Sequence, residues 1–351
     1  MKHVFVERQG AMYSFTDSRV VRVADESLRP ADLRGNAAVT YVERNPIFYA
    51  GIAITGGCNL DCEYCTAGAT KNAALERAMT VDQFETAIRE LVDQGLAKVS
   101  LTGGEPFTHP HLREIYGVLG KYSVPSVMNT NGTLLNSSLM QWMIDNGLQE
   151  IDISVTDIHD DGAIYADGMN RAPARWRGLS SAVEEFQGRL LFRASTVLTR
   201  RVVENLFEYE EIFSDMGVDS WLQRELLFTD GNRVSGNIRP EPKMLADRMA
   251  EFATAERKMV VAGYLYEVCA GLHRRRRCHN LEKDYVFIHE DGGVSWLARL
   301  FPNRMASLAT EGTREIAATL SDQYKTGVPD RCAGCGASYF CMESPEREVP
   351  L

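Results

Sequence analysis

Six short apolar segments alternate with amphipathic helical patterns between about residue 48 and residue 227. The first helical pattern opens with a capping box, in which Thr80 is the N-cap and Gln83 lies three residues later. This alternation predicts parallel βα units, whose functional residues gather at the carboxyl ends of the strands. We therefore expect an α/β fold with its site at those ends. The predicted strands cover about 48–55, 98–102, 126–129, 151–155, 190–198 and 220–227, and the predicted helices about 81–94, 112–120, 138–146, 174–186, 206–216 and 244–264.

Three cysteines follow the first predicted strand at a C-x3-C-x2-C spacing: Cys58, Cys62 and Cys65. Three thiolates this close together in a loop can hold three irons of a cubane cluster, which leaves the fourth iron without a protein ligand. An open metal site suits catalysis, because a substrate or cosubstrate can bind there. A zinc site is the alternative, although zinc usually takes paired C-x2-C units and four ligands. The loop therefore indicates a catalytic [4Fe-4S] cluster with an open iron site.

The second predicted strand ends in Gly103-Gly104-Glu105. Two glycines allow a ligand to approach the backbone closely, and the glutamate adds a carboxylate acceptor. Alone, this turn could be an ordinary strand-to-helix connection. Together with the cysteine loop, and with Tyr64 directly before the last cysteine, it resembles the radical S-adenosylmethionine (radical SAM) superfamily. The resemblance spans about residues 47–227 and implies a partial (βα)6 TIM-like barrel with the cluster loop after its first strand.

The resemblance also implies a set of contacts to S-adenosylmethionine (SAM). In the family the open iron is chelated by the amino and carboxylate groups of SAM, and the Gly-Gly-Glu motif binds the amino group. The end of the third strand resembles the family's Thr-Asn-Gly turn, although a plain Asn-Gly turn explains it equally well. Polar residues on the fourth and fifth strands match contacts to the SAM ribose and carboxylate, or are ordinary strand residues. The expected cofactor-binding residues are Tyr64, Gly103, Gly104, Glu105, Asn129, Ser154, Arg193 and Ser195.

Candidate catalytic residues lie near the predicted mouth of the barrel and further along the chain. His159 lies in the acidic segment 157–161, which could do acid–base work, although a solvated acidic loop is the more ordinary interpretation. Arg224 and Glu225 end the sixth predicted strand and must be paired if they face the cavity. Cys269 could return a hydrogen atom to a substrate radical. The candidates for direct catalysis are Cys269, His159 and Glu225.

Further cysteines lie toward the C-terminal end, where Cys278 precedes a predicted hairpin of residues 285–289 and 294–297. This part resembles the SPASM and Twitch extensions of radical SAM enzymes, which carry auxiliary iron–sulfur clusters. It departs from their pattern, because Leu297 stands where a cysteine is expected and no cysteine follows Cys341 in this sequence. We expect one auxiliary [4Fe-4S] cluster, with Cys269 as the alternative ligand and structural zinc as the alternative metal. The expected ligands are Cys278, Cys332, Cys335 and Cys341.

Composition and charge limit the functional classes and cellular compartments that we expect for this protein. Lysine and arginine total 38 against 48 acidic residues, and the net charge of −10 argues against a nucleic-acid partner. No apolar run is long enough to span a bilayer, and the first residues lack the apolar core of a signal peptide. We therefore expect a cytoplasmic protein without a membrane partner, in which cysteines are metal ligands rather than disulfides. The expected division is a β-rich N-terminal segment (1–45, with a small hairpin), the radical SAM barrel (46–235), and a bridging helix with the auxiliary-cluster extension (236–351).

The resemblance implies radical chemistry. A reduced cluster, supplied with electrons by a partner such as flavodoxin or ferredoxin, cleaves SAM to methionine and a 5′-deoxyadenosyl radical, which removes a hydrogen atom from the substrate. Oxidation, epimerisation, decarboxylation or elimination can follow. The expected substrate is a small polar natural-product intermediate such as a sugar, aminocyclitol or nucleoside. One alternative is a ribosomal peptide docked on the N-terminal segment; the other is a non-catalytic iron–sulfur electron carrier, against which the Gly-Gly-Glu motif weighs.

Overall fold

The N-terminal segment forms a small antiparallel sheet. Its strands are β1 (Val4–Arg8), β2 (Ala11–Thr16) and β3 (Arg19–Arg22), in the order β1-β2-β3. The hairpin predicted here is confirmed, and a third strand is added to it. The computed structural model describes residues 4–8, 11–16, 19–22, 49–65, 78–93, 96, 98–156, 172–224, 226, 238–263, 285–291, 293–295 and 306–307.

The main sheet has ten strands in the order β10-β9-β8-β7-β6-β5-β4-β11-β12-β13. The eight strands from β10 to β11 are parallel, and β12 and β13 follow as antiparallel strands at one edge. The predicted α/β class is confirmed, and the sheet is open rather than a closed barrel. The strands are β4 (Tyr49–Thr55), β5 (Lys98–Gly103), β6 (Ser126–Thr130), β7 (Leu148–Ser154), β8 (Leu191–Val197), β9 (Ser220–Arg224), β10 (Val260–Ala262), β11 (Tyr285–Ile288), β12 (Gly293–Ser295) and β13 (Ala306–Ser307).

Helices connect the parallel strands. The predicted capping box is present before the first helix, because the backbone N–H of Gln83 donates to Thr80 Oγ1 at 3.2 Å while the Thr80 N–H donates to Gln83 Oε1 at 2.9 Å. None of the described helices is both long and apolar enough to cross a membrane. The helices are α1 (Val81–Asp93), α2 (Leu112–Lys121), α3 (Ser137–Asp145), α4 (Ala172–Phe186), α5 (Arg200–Glu204), α6 (Leu206–Asp215) and α7 (Pro242–Thr254).

The two faces of the parallel sheet differ in polarity. Successive strand residues point to opposite faces, and Ile151 and Ile153 of β7 join the apolar core beneath the helices. On β9, Trp221 does the same and packs against aromatic rings of α6 and α7. The alternate residues of β7, Glu150 and Asp152, are also buried, and therefore lie on the opposite, inner face. The fold thus combines an apolar outer core with a polar inner face.

The helix predicted over about 244–264 is wrong in its second half. The helix α7 ends at Thr254, and Val260–Ala262 form β10, which pairs in parallel with β9. The backbone N–H of Lys258 donates to Glu210 Oε1 of α6 at 2.8 Å, so the chain turns away from the helix axis before the valines. Since β-branched residues suit a strand better than a helix interior, the two valines complete the sheet.

The hairpin predicted after Cys278 is confirmed, with β11 and β12 paired in antiparallel. Its first strand also pairs in parallel with β4, with Tyr285 opposite Tyr49 and Ile288 opposite Ile52. The hairpin therefore extends the main sheet on the side of the strand that leads into the cysteine loop.

Candidate functional site

The cysteine loop lies at the carboxyl end of β4, as expected. Cys58, Cys62 and Cys65 are of intermediate exposure and are not joined in disulfides. The loop folds on itself through two bonds: the Cys65 N–H donates to the Cys62 carbonyl at 3.0 Å, and the Leu60 N–H donates to Cys58 Sγ at 3.4 Å. Leu60 is buried, and Tyr64 packs with the loop against the same small apolar cluster. The loop is therefore ordered by its own contacts.

The electrostatics of the loop suit a cationic ligand. Burial raises the pKa of the Cys58 thiol to about 12; the Leu60 N–H opposes this rise, and nearby Glu105 adds to it. Such a thiol ionises only against strong positive charge, which bound iron supplies. Within the described ranges, no three His, Cys, Asp or Glu side chains are placed to hold one metal ion. A cubane takes one thiolate for each of three irons, which the three cysteines of the loop can supply.

The Gly103–Glu105 turn holds the cysteine loop through backbone bonds. The Gly104 N–H donates to the Thr55 carbonyl and the Glu105 N–H to the Gly57 carbonyl, each at 2.7 Å. A Cβ on Gly104 would collide with the Gly57 carbonyl. Gly103 has φ of +143°, a conformation that side chains rarely adopt. The two glycines are thus required by the packing of one loop on the other, a reason that the sequence alone did not reveal.

Glu105 is fully buried beneath the same turn. Its Oε1 accepts hydrogen bonds from the Phe107 N–H at 3.1 Å and from Thr130 Oγ1 at 2.7 Å, and its Oε2 accepts from the Asn131 N–H at 2.6 Å. The carboxylate therefore ties the end of β5 to the end of β6. The contact of Glu105 with the SAM amino group remains a prediction. The three hydrogen bonds show that the Glu105 carboxylate also stabilises the junction between the ends of β5 and β6.

Asn131 contacts the cysteine loop, a role that the sequence did not indicate. Its Nδ2 donates to Asn59 Oδ1 at 2.8 Å and lies 3.9 Å from Cys58 Sγ. Thr133 completes the network, since its Oγ1 donates to Asn131 Oδ1 at 2.6 Å and accepts from Asn59 Nδ2 at 2.8 Å. Asn129, whose predicted contact with SAM stays a prediction, donates to Ser100 Oγ at 2.5 Å and to the Leu101 carbonyl at 3.1 Å.

Arg193 lies in a buried ionic cluster toward the amino end of the inner face. Its Nη2 is 2.5 Å from Glu150 Oε1, and Lys98 Nζ is 2.7 Å from the other oxygen of the same carboxylate. Burial lowers the pKa of Lys98. Burial alone would raise the pKa of Glu150, but the charges of Lys98 and Arg193 outweigh it and lower that pKa. The predicted contact of Arg193 with the SAM carboxylate stays a prediction, and its carboxylate partner in this structure is Glu150.

A second layer lies nearer the carboxyl ends. Arg224 of β9 donates from Nε to Ser195 Oγ at 2.6 Å and from Nη2 to Asp152 Oδ2 at 2.9 Å. The sequence required Arg224 to be paired if it faced the cavity, and this pairing is present. Ser154, at the end of β7, is half-buried and lies opposite Ser195 in the strand register. The structure thus brings Ser195 and Arg224 together, one layer above Arg193.

His289 is a further buried residue that sequence reasoning missed. It follows β11 directly, next to the carboxyl half of β4, and its ring packs edge-on against Phe287 at 5.0 Å. The signal was a histidine at the end of a predicted strand, but the sequence did not show that this strand adjoins β4. The remaining candidates fall outside the described residues: His159, the surrounding segment 157–161, Glu225, Cys269, Cys278, Cys332, Cys335 and Cys341.

Comparison with known proteins agrees with this geometry. The model of the radical SAM superfamily matches residues 52–189. The AdoMet-dependent heme synthase of Methanosarcina barkeri is 28% identical over 190 residues, which are 53% of this chain and 53% of that protein. The GTP 3′,8-cyclase of Stenotrophomonas maltophilia is 30% identical over 138 residues, which are 38% of this chain and 41% of that protein. The matches thus span about half or less of the curated relatives' lengths.

Solved structures share the fold at low sequence identity. Streptococcus suis SuiB superposes with a TM-score of 0.64 at 13% identity, over 84% of this chain and 72% of that chain. The anSMEcpe protein with bound AdoMet and a peptide gives a TM-score of 0.61 at 16% identity, over 84% of this chain and 87% of that chain. These similarities establish the architecture.

Proposed function

Because this chain carries a radical SAM domain over residues 52–189, we propose that it cleaves SAM reductively and removes a hydrogen atom from a small polar substrate. The observation that carries this proposal is the docking of the cysteine loop on the Gly103–Glu105 turn at the ends of β4 and β5. Both motifs expected to bind the cofactors are thereby held together by backbone hydrogen bonds.

The chain's own residues would bind and orient the cofactors. Cys58, Cys62 and Cys65 would hold the cluster as thiolates, and Asn131 would hold the loop in register through Asn59. When bound, the cluster would supply the electron that cleaves SAM to methionine and a 5′-deoxyadenosyl radical. Glu105 would fix the Thr130 and Asn131 end of β6, so that the SAM pocket keeps its shape. Flavodoxin or ferredoxin is the proposed source of electrons.

The polar inner face supports a small polar substrate such as a sugar, aminocyclitol or nucleoside. The face offers hydroxyl, amide, carboxylate and guanidinium groups in two hydrogen-bonded sets, one of Ser100 and Asn129 and the other of Asp152, Ser195 and Arg224. Binding sites place a few polar groups so that they fix the orientation of a ligand. The fate of the substrate radical, whether oxidation, epimerisation, decarboxylation or elimination, depends on which bond lies next to the radical carbon.

A peptide substrate is the second candidate. The described N-terminal sheet has β1 and β3 at its edges, and an extended peptide can add a strand to a sheet edge. A solved structure of SuiB holds the precursor peptide SuiA, and the fold is shared with this chain. If the substrate is a peptide, the N-terminal segment would serve as its docking site.

The C-terminal part of the proposal concerns cysteines beyond the described ranges. Cys278, Cys332, Cys335 and Cys341 are proposed to hold an auxiliary [4Fe-4S] cluster, with Cys269 as alternative ligand. Cys269, His159 and Glu225 remain the candidates for direct catalysis. The domain limits at residues 45 and 235, and a cytoplasmic location, belong to the same proposal.

The test uses protein reconstituted anaerobically with iron and sulfide. Iron and sulfide are counted, and SAM and a strong reductant are then added to measure 5′-deoxyadenosine. We expect about eight irons per chain and deoxyadenosine formation, as two cubanes require. The triple variant Cys58→Ala, Cys62→Ala, Cys65→Ala should keep about four irons and form no deoxyadenosine.

The alternatives give different results. About four irons with activity would refute the auxiliary cluster while supporting the radical reaction. A full iron load without deoxyadenosine, even with candidate substrates present, would favour the electron-carrier function. If a precursor peptide stimulates deoxyadenosine formation and sugars and nucleosides do not, the result would favour a peptide substrate.

A further inference from the structure

We propose that Arg224 binds an anionic group of the substrate, a carboxylate or a phosphate, at the carboxyl end of the inner face. This inference rests on the proposed function and adds the charge of the substrate to it. Arg224 is the last residue of β9, and its side chain crosses two neighbouring strands to reach Ser195 of β8 and Asp152 of β7. A side chain held at two points presents its remaining atoms in a fixed direction.

The hydrogen-bond geometry leaves one edge of the guanidinium available. An arginine has five N–H donors, and the protein bonds described use Nε and one hydrogen of Nη2. Among the described residues, no acceptor for Nη1 is present. The Arg224 side chain is 49% exposed, whereas Asp152 is only 3% exposed. The paired N–H groups of Nη1 and Nη2 form the fork that binds carboxylate or phosphate in bidentate fashion.

The charges of the inner face also favour an anionic ligand. In the described part of that face, Lys98, Arg193 and Arg224 carry positive charge and Glu150 and Asp152 carry negative charge. Three cations against two carboxylates leave one surplus positive charge. Lys98 and Arg193, the two partners of Glu150, are buried, so Arg224 is the one of these three cations that a ligand can reach. An anionic ligand at the exposed edge of Arg224 would lower the net positive charge of this face and could be held by charge-assisted hydrogen bonds.

The substrate is the proposed source of the anion, and because two expected SAM contacts, Arg193 and Ser195, lie on the neighbouring β8, the experiment below includes competition with SAM. Four strands, β5 to β8, separate β9 from β4 and its cysteine loop. The residues expected to bind the SAM amino group, Gly103–Glu105, lie at the end of β5 and directly after it, next to that loop. Asp152 and Ser195 act as positioning residues, because each fixes the guanidinium through a hydrogen bond rather than through the ligand.

The experiment measures binding of inorganic phosphate and of acetate to the reconstituted, SAM-loaded enzyme by calorimetry at constant ionic strength. The variants are Arg224→Gln, Arg224→Lys and the matched control Arg113→Gln, which removes an exposed arginine from α2. Phosphate should bind the wild type and Arg113→Gln equally, and should bind Arg224→Gln about tenfold to a hundredfold more weakly, as loss of a charged hydrogen-bond pair implies. Arg224→Lys keeps the charge without the fork, so it should lose acetate affinity more than phosphate affinity.

Two results would overturn the inference. One is equal phosphate binding by wild type and Arg224→Gln when iron content and circular dichroism show that both are folded. The other is a loss of SAM affinity in Arg224→Gln, with phosphate competing against SAM, because the anion would then be the SAM carboxylate. Deoxyadenosine formation by the wild type is recorded in the same samples, so a failure of the radical reaction is distinguished from a failure of the anion site.

Discussion

The substitution Glu150→Gln tests whether the lower ionic layer supports the fold. Glu150 is 5% exposed, and its carboxylate is the partner of both Lys98 and Arg193, which are 6% and 9% exposed. Glutamine keeps the shape and removes the charge, so two cations remain buried without compensation. Removing one partner from a buried ion pair costs about 3–5 kcal/mol.

The assay is thermal unfolding of the reconstituted protein under anaerobic conditions. Because about 1 kcal/mol shifts the midpoint of a domain of 150–250 residues by about 2–4 °C, the expected loss is roughly 6–20 °C. The matched control is Glu85→Gln, which removes one partner of the exposed Lys121–Glu85 pair and should hardly change the midpoint. If both variants unfold at the same temperature, the reasoning from burial is refuted.

A double variant and a pH series sharpen the test. Adding Lys98→Met to Glu150→Gln removes one uncompensated charge and should restore part of the loss, a non-additive result. Lys98 and Arg193 lower the pKa of Glu150 against the opposing effect of burial. Its contribution to stability is therefore present above the ordinary carboxyl pKa and is lost as the pH falls through the lowered folded value. The difference between wild type and Glu150→Gln should shrink in that acidic window.

Two further predictions concern the docking of the cysteine loop. Gly104→Ala should reduce iron uptake strongly, because the new Cβ collides with the Gly57 carbonyl. The control Gly117→Ala has open space around the new atom and should load iron like the wild type. The iron content of each variant after reconstitution measures the difference. Glu105→Gln should weaken SAM binding, because the new amide donor must face Thr130 Oγ1 or a backbone N–H. An unsatisfied buried group of this kind costs about 1–3 kcal/mol. Calorimetry with SAM measures the affinity, and an unchanged affinity would contradict the positioning role of Glu105.

Local patterns were sufficient to predict the elements and their order. The capping box at Thr80 and Gln83, the alternation of strands and helices, and the loop after the first strand depend on contacts close in sequence, and all appear in the structure. The prediction for the second half of the helix over about 244–264 was wrong because the end of this helix depends on a contact between residues far apart in the sequence. Its end depends on Glu210, far away in the chain, which binds the backbone at Lys258.

The pairings within the site could not be predicted. Asn129 lies on β6 and was the predicted contact, whereas Asn131 directly follows the strand, and only the fold shows that Asn131 meets Asn59 of the cysteine loop. Arg193 and Arg224 pose the same problem, because each lies on the inner face and can reach a carboxylate. Which carboxylate it reaches depends on the register of neighbouring strands, which is a property of the assembled sheet.

The two ionic layers also limit what can bind between them and the strand ends. Glu150, Asp152 and Ser154 occupy successive inward positions on β7, and two strand residues advance about 7 Å. In the lower layer Glu150 is paired with two buried cations, so its carboxylate is already occupied by protein groups. Arg224 ends β9 and reaches back to Asp152, so a ligand held by its exposed edge lies above the Glu150 layer and near the carboxyl ends of the strands. An acidic group of a small molecule, or one acidic side chain of a peptide, would match Arg224 at this position.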